Sequence, residues 1–117
     1  MNETVFITDG QWRKALAVTR SLGKRGYRVI VGSDRKLATS FASRYCWKKV
    51  IYPSPKNKQN EFAEFITSFV KDERPDVSIP LDDEAVTFFS KNLELLSEYT
   101  RIPIAPYDIL ELGIDKS

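Results

Sequence analysis

Histidine is absent from all 117 residues. No Ser-His-Asp or Cys-His nucleophile can be assembled, and no imidazole is available to a metal site. The single cysteine, Cys46, excludes an internal disulfide. It reads as a partly buried thiol, with a reactive thiol as the alternative. So little cysteine suits a reducing cytoplasm, which is the expected location. No apolar run approaches the roughly 18 residues that cross a bilayer. Met1 leads into Asn2 and Glu3 rather than into the basic and then apolar start of a secretory signal, so no membrane partner is expected. Glycine is scarce too, with five in all. No ligand loop of the calcium type is present, although carboxylates alone can still hold a hard cation.

What is present is ordinary globular material: 42% apolar and 29% charged residues, in a length that suits one domain with a single core. The net charge of +2 hides a division. Residues 1–58 hold 13 Lys or Arg against three acids, and residues 59–117 hold five against 13. A basic half can attract nucleic acid. Here Arg13, Lys14, Arg20, Lys24 and Arg25 fall on the outer face of one amphipathic helix, which is a solvated surface. No aromatic-rich strand motif or helix-turn-helix spacing supports a nucleic-acid partner.

Hydrophobic periodicity alternates between two kinds of segment. "TVFIT" (4–8) and "YRVIVGS" (27–33) are nearly continuous apolar runs of strand length, joined through "QWRKALAVTRSLGKRG", where Trp12, Ala15, Leu16, Thr19 and Leu22 share a helical face. Two such strands joined through a helix predict a βαβ unit in a parallel sheet covered on both faces. "LATSFASRYC" (37–46) predicts a short helix or turn, and "KKVIYP" (48–53) a third strand. The stripe Phe62, Phe65, Ile66, Phe69 and Val70 predicts a core-facing helix. "DVSIP" (76–80) is a fourth strand, followed by a helix with Asp82 or Asp83 as N-cap and Val86, Phe89, Leu93 and Leu96 facing inward. "RIPIA" (101–105) reads as a fifth strand, and Pro106 opens a last helix. The expectation is an α/β, Rossmann-like three-layer sandwich with a roughly five-stranded, mainly parallel sheet.

Ligands of such sheets bind beyond the carboxyl ends of the strands, where strand order reverses. That rule selects Thr8-Asp9-Gly10, Ser33-Asp34-Arg35, and the run from Pro80 to Glu84. At the first, a dinucleotide site requires three closely spaced glycines so that backbone approaches a pyrophosphate. Gly10 stands alone before Gln11, Trp12 and Arg13, so Asp34, at the spacing of a ribose-binding acid, lacks its usual partners. Asp9-Gly10 is also accounted for as a tight turn with a capping carboxylate. A receiver domain needs more acids after its first strand than Asp9. The three acids at 82–84 stabilise a helix start through its dipole, or turn one carboxylate towards a cationic group such as a substrate amine.

Taken in order, four segments resemble the N-terminal domain that precedes the nucleotide-binding part of ATP-grasp ligases, as in carbamoyl-phosphate synthetase large chains and D-aspartate ligase. "VFITDGQWRKALAVTRSLGKRGYRVIVGSD" is similar to the family's opening strand, Gly turn, A-L-A helix and second strand. "SRYCWKKVIYPSP" and "DVSIPLDDEAV" resemble its crossover and its strand end of the type I-P-x-x-D-E. "IPIAPYDILELGIDKS" resembles the junction "i-P-x-x-P … D-K". The resemblance implies a pre-ATP-grasp domain over 1–113, with 114–117 opening the junction to an ATP-grasp domain that is missing here. Lys116 would be a ligand of the ATP phosphates. ATP and Mg would act in the intact enzyme, with none expected on this fragment. The implied chemistry is activation of a carboxylate as an acyl phosphate, displaced by an amine. Asp9, Gly10, Asp83 and Glu84 would form one wall of the crevice for a small-molecule carboxylate or amine, and no residue of the fragment would be catalytic. Trp12 departs from the smaller turn of many relatives and is expected to fill space left there for ligand. A stand-alone small-metabolite or nucleotide binding module is the alternative, and a homodimer through a sheet edge or helix face remains open.

Overall fold

The computed structural model describes residues 3–103. Four parallel strands, β1 (Thr4–Ile7), β2 (Arg28–Ser33), β3 (Cys46–Ile51) and β4 (Val77–Ile79), form one sheet in the order β3-β2-β1-β4. Helix α1 (Arg13–Lys24) links β1 to β2, a 3-10 turn (Thr39–Ala42) precedes β3, and α2 (Gln59–Glu73) links β3 to β4. Beyond β4 come α3 (Asp83–Lys91) and the single-turn α4 (Leu93–Leu96).

Each buried strand serves two cores because its side chains alternate between faces. Val5 and Ile7 of β1, Val29 and Val31 of β2, and Val77 and Ile79 of β4 pack with Ala15 and Leu22 of α1. Phe6, Ile30 and Val50 face the other way, onto Phe62, Ile66 and Val70 of α2, Phe89 of α3 and Leu96 of α4. Burying each of these large side chains is worth roughly 1.5–3 kcal/mol. Both helical covers are therefore needed, and the α/β sandwich read from the sequence is the observed one.

The expected fifth strand is reduced among the described residues to a single parallel bridge between Val77 and Arg101. Ser78 N–H donates to Arg101 C=O at 2.8 Å, and Arg101 N–H donates to Asp76 C=O at 3.1 Å. Among the described residues the sheet thus has four strands. The rest of that segment, the helix expected after Pro106, and Lys116 lie outside the described residues.

The long helix expected after β4 is broken at Asn92, whose backbone (φ −114°, ψ 23°) leaves helical geometry. Its amide side chain donates to Phe88 C=O at 2.9 Å, and its backbone N–H donates to the same oxygen at 3.1 Å. The break turns Leu93 outward to 40% exposure, against its expected place inside, while Ala85 joins Phe89 in the core. No helix among the described residues is long and apolar enough to cross a membrane.

Candidate functional site

Strand order reverses between β1 and β4, because β2 and β3 build out on one side of β1 and β4 on the other. The crevice beyond their carboxyl ends is where an open α/β sheet takes its ligand. Thr8 and Asp9 leave β1 there, fully buried and 3% exposed respectively. Leu81 N–H donates to Thr8 Oγ1 at 2.9 Å, and the Thr8 hydroxyl donates to Asp9 Oδ2 at 2.5 Å. One hydroxyl thereby ties the loop after β4 to the carboxylate after β1.

Asp9 adopts φ 62°, in the left-handed region that Asp tolerates better than most residues because its short polar side chain bonds locally. Its N–H donates to the Tyr52 hydroxyl at 2.9 Å, and its C=O accepts from Trp12 N–H at 3.1 Å. Tyr52 follows β3 directly and is buried. Its N–H donates to Ser33 C=O at 3.0 Å, and its ring meets Phe62 edge-on at 5.1 Å. Three strand ends are thus pinned to one another through Asp9 and Tyr52.

The electrostatics follow from that burial. Loss of water raises the Asp9 carboxyl above the ordinary carboxylate range, opposed first by the Thr8 hydrogen bond. The charge of Asp82 raises it further, while the Asp82 N–H and the charge of Lys14 oppose. Burial lifts the Tyr52 hydroxyl far above its usual value, and the carboxylates of Asp9, Asp34 and Asp82 push in the same direction. At neutral pH this phenol keeps its proton. An arrangement of a neutral phenol and inward-facing acids suits a cationic or hydrogen-bond-donating group, and does not offer a nucleophile. No group of three or more acids and cysteines among the described residues is placed to hold a metal ion.

The residues picked out by sequence separate here. Gly10 is buried, and its backbone is fully engaged: N–H to Gly32 C=O and C=O from Ser40 N–H, both at 2.9 Å. A Cβ at Gly10 would stand 2.5 Å from Val31 Cγ1, so this glycine permits the turn to lie on β2. Asp83 and Glu84 do not gather around Asp9. They line a hollow of about 300 Å³ with Thr87, Phe88, Lys91 and, from the approach to α2, Pro55 and Gln59. The acid whose charge reaches Asp9 is Asp82, the N-cap of α3, whose side chain makes no capping hydrogen bond. Trp12 is 46% exposed. Ser33 and Gln11 join the first two loops, with Ser33 Oγ donating to Gln11 Oε1 at 2.7 Å.

Tyr52 was the residue that sequence reasoning missed. The rule that selects strand ends one, two and four applies equally to strand three, where Tyr52 sits inside the run "KKVIYP" and so reads as part of the strand. Cys46 is half-buried, and burial raises its thiol, as the unreactive reading requires.

The chain matches no protein-family model and no curated protein. Solved structures do share its fold. Glycinamide-RNase-transformylase T from Mycobacterium tuberculosis superposes with a TM-score of 0.66 at 15% identity, over 86% of this chain and 28% of its own. N5-carboxyaminoimidazole ribonucleotide synthetase from Thermotoga maritima gives 0.63 at 22% identity, over 96% of this chain and 27% of its own. This chain therefore spans little more than a quarter of either neighbour's length.

Proposed function

We propose that this chain is the N-terminal, substrate-side domain of an ATP-grasp ligase that joins a carboxylate to an amine. The observation that carries the reading is the pairing of four ordered sequence segments of that family with a fold likeness covering 86% and 96% of this chain. Both neighbours support an ATP-grasp N-terminal domain without favouring a carbamoyl-phosphate synthetase or a D-aspartate ligase. In the parent, ATP phosphorylates the carboxylate, and the amine displaces phosphate from the acyl phosphate.

The described residues do not fit the cofactors themselves. The turn after β1 has its Gly10 N–H committed to Gly32, and no metal-holding cluster of acids is present among them. We assign ATP and Mg to a further domain, with Lys116 proposed as the phosphate ligand at the junction. Asp9, held by Thr8 and Tyr52 and reinforced by Asp82, is the side chain we assign to the substrate ammonium or its equivalent. Asp83 and Glu84 remain proposed contacts at the rim, and Gly10 shapes the turn.

The test uses the native gene product isolated from its own cells. ADP release should require both a carboxylate and an amine, and hydroxylamine should divert the intermediate to a hydroxamate. Asp9→Asn should raise the KM for one substrate and leave that for ATP unchanged. Asp83→Ala with Glu84→Ala should do so more weakly. Micromolar ATP binding by the 117-residue chain alone, worth roughly 8 kcal/mol, would reject this reading in favour of a nucleotide-binding module.

A further inference from the structure

The division of charge along the sequence becomes a division in space on either side of β3, the strand at one edge of the sheet. Near its start lies a hollow of about 370 Å³ where Tyr27, Arg28, Arg44, Tyr45 and Trp47 meet the end of α1. None of the described residues lining it is acidic. Each arginine is laid against a ring, Arg28 at 5.2 Å from the centre of Trp47 and Arg44 at 4.9 Å from that of Tyr45. Stacking of this kind leaves the N–H edge of Arg28 presented for a carboxylate, while Arg44 donates from Nη2 to the Tyr45 hydroxyl at 2.8 Å and has its remaining N–H groups to offer. Tyr45 packs where a side chain on Gly23 would stand, so the absence of one there lets the ring lie against α1. Trp47 is 54% exposed.

On the other side of β3, the outer surface of α2 carries an open hollow of about 530 Å³. Glu61, Glu64, Asp72 and Glu73 line it around the half-buried rings of Phe65 and Phe69, and among the described residues no basic one lines it. The first hollow is lined by Trp47 of β3, and the second reaches that strand through Glu73 and Pro53. Lys48, next to Trp47, pairs with Glu73 at the edge of the acidic one, and Pro53, just past β3, closes its far end.

We propose that this edge of the molecule is the contact surface for a second copy of the chain. The basic, aromatic hollow of each copy would receive the acidic, phenylalanine-lined surface of the other. With a two-fold axis beside β3, the same contact would be made twice and the pair would close without forming an open filament. The signs of the lining charges are complementary, which favours this partner over one of uniform charge. Direct pairing of two β3 strands is not required, and exposed Lys48 and Lys49 on that strand oppose it.

The test is sedimentation of the 117-residue chain across a concentration series. Raising salt from about 0.01 M to about 1 M shortens the screening length from roughly 30 Å to roughly 3 Å. At low salt the mass should approach twice 13.4 kDa, and at high salt it should return to 13.4 kDa. One variant, Arg28→Glu with Arg44→Glu, and another, Glu64→Lys with Asp72→Lys, should each associate at least about tenfold more weakly. Mixed together they should recover a dimer, because both contacts are again between opposite charges. A monomer at every salt and concentration overturns the proposal, and so does association that ignores both salt and the exchange of charge. Should either variant fail to fold, as seen by circular dichroism, the salt response of the unaltered chain decides alone.

Discussion

Replacing Gly10 by alanine tests whether this glycine shapes the fold or approaches a ligand. The new Cβ would lie 2.5 Å from Val31 Cγ1 and 3.4 Å from Gly32 C=O. Carbon atoms rest at about 3.5–4.0 Å, so about an ångström or more must be recovered. Val31 is fully buried and β-branched, with its backbone held in register between Ile7 and Lys49. The turn cannot retreat without loosening two 2.9 Å hydrogen bonds, to Gly32 and from Ser40. Overpacking of this kind costs about 1–3 kcal/mol, and a loosened hydrogen bond adds about 0.5–1.5 kcal/mol. The smaller entropy of the unfolded alanine chain returns about 0.4–1 kcal/mol. The net expectation is a loss of about 0.5–4 kcal/mol, measured by denaturant unfolding followed by circular dichroism. The decisive comparison is a double-mutant cycle. In a Val31→Ala background the colliding methyl is gone, so Gly10→Ala should cost less than about 0.5 kcal/mol. An equal cost in both backgrounds, or stabilisation of the unaltered protein, would refute the packing argument.

Other sites give independent checks. Asp9 has its carboxyl raised by burial, so the folded state binds the proton more tightly than the unfolded one, and the stability it lends is lost as pH rises from the unfolded value of 3.8 through the raised folded value. Asp9→Asn should therefore be more stable than the parent at pH 7, with the advantage vanishing in acid below both values; urea unfolding at several pH values measures this. Ser40 is fully buried and its hydroxyl has no hydrogen-bond partner among the described residues, so Ser40→Ala should raise stability by about 1 kcal/mol, contrary to most buried substitutions. Phe89→Ala should cost about 3–5 kcal/mol in the same assay, because its ring is fully buried between α3 and the sheet.

The sheet was readable because buried parallel strands are apolar on both faces, and Val5-Phe6-Ile7 and Val29-Ile30-Val31 are unbroken apolar runs in β1 and β2. The helices were readable as periodic stripes, and Phe62, Ile66 and Val70 are the buried face of α2, with Phe65 and Phe69 at its flanks. Local effects escaped the pattern. Trp12 continues the apolar period of α1 but is its extended N-cap, so the helix begins one residue after it and the indole turns to solvent. Leu93 fits the period of α3, yet the break at Asn92 resets the phase. Neither a glycine nor a proline announces that break; it is held by the two hydrogen bonds that Asn92 returns to Phe88.

The candidate site failed differently, and helix geometry explains why. Three consecutive acids look equivalent in sequence, but successive helical residues point about 100° apart. Asp82 is the extended N-cap, and its charge reaches Asp9 and Tyr52. Asp83 and Glu84 occupy the first turn and line the hollow beside α2. One crevice can therefore receive only part of the run. The discriminating experiment follows from that division: Asp82→Asn removes the like charge that raises the Asp9 carboxyl, so Asp9 should titrate lower, whereas Asp83→Asn should move it much less. Carbon-13 titration of the Asp9 carboxyl by NMR reads both. Equal responses to the two substitutions would mean that the acids act as a diffuse field, and that Asp82 has no special place at the crevice.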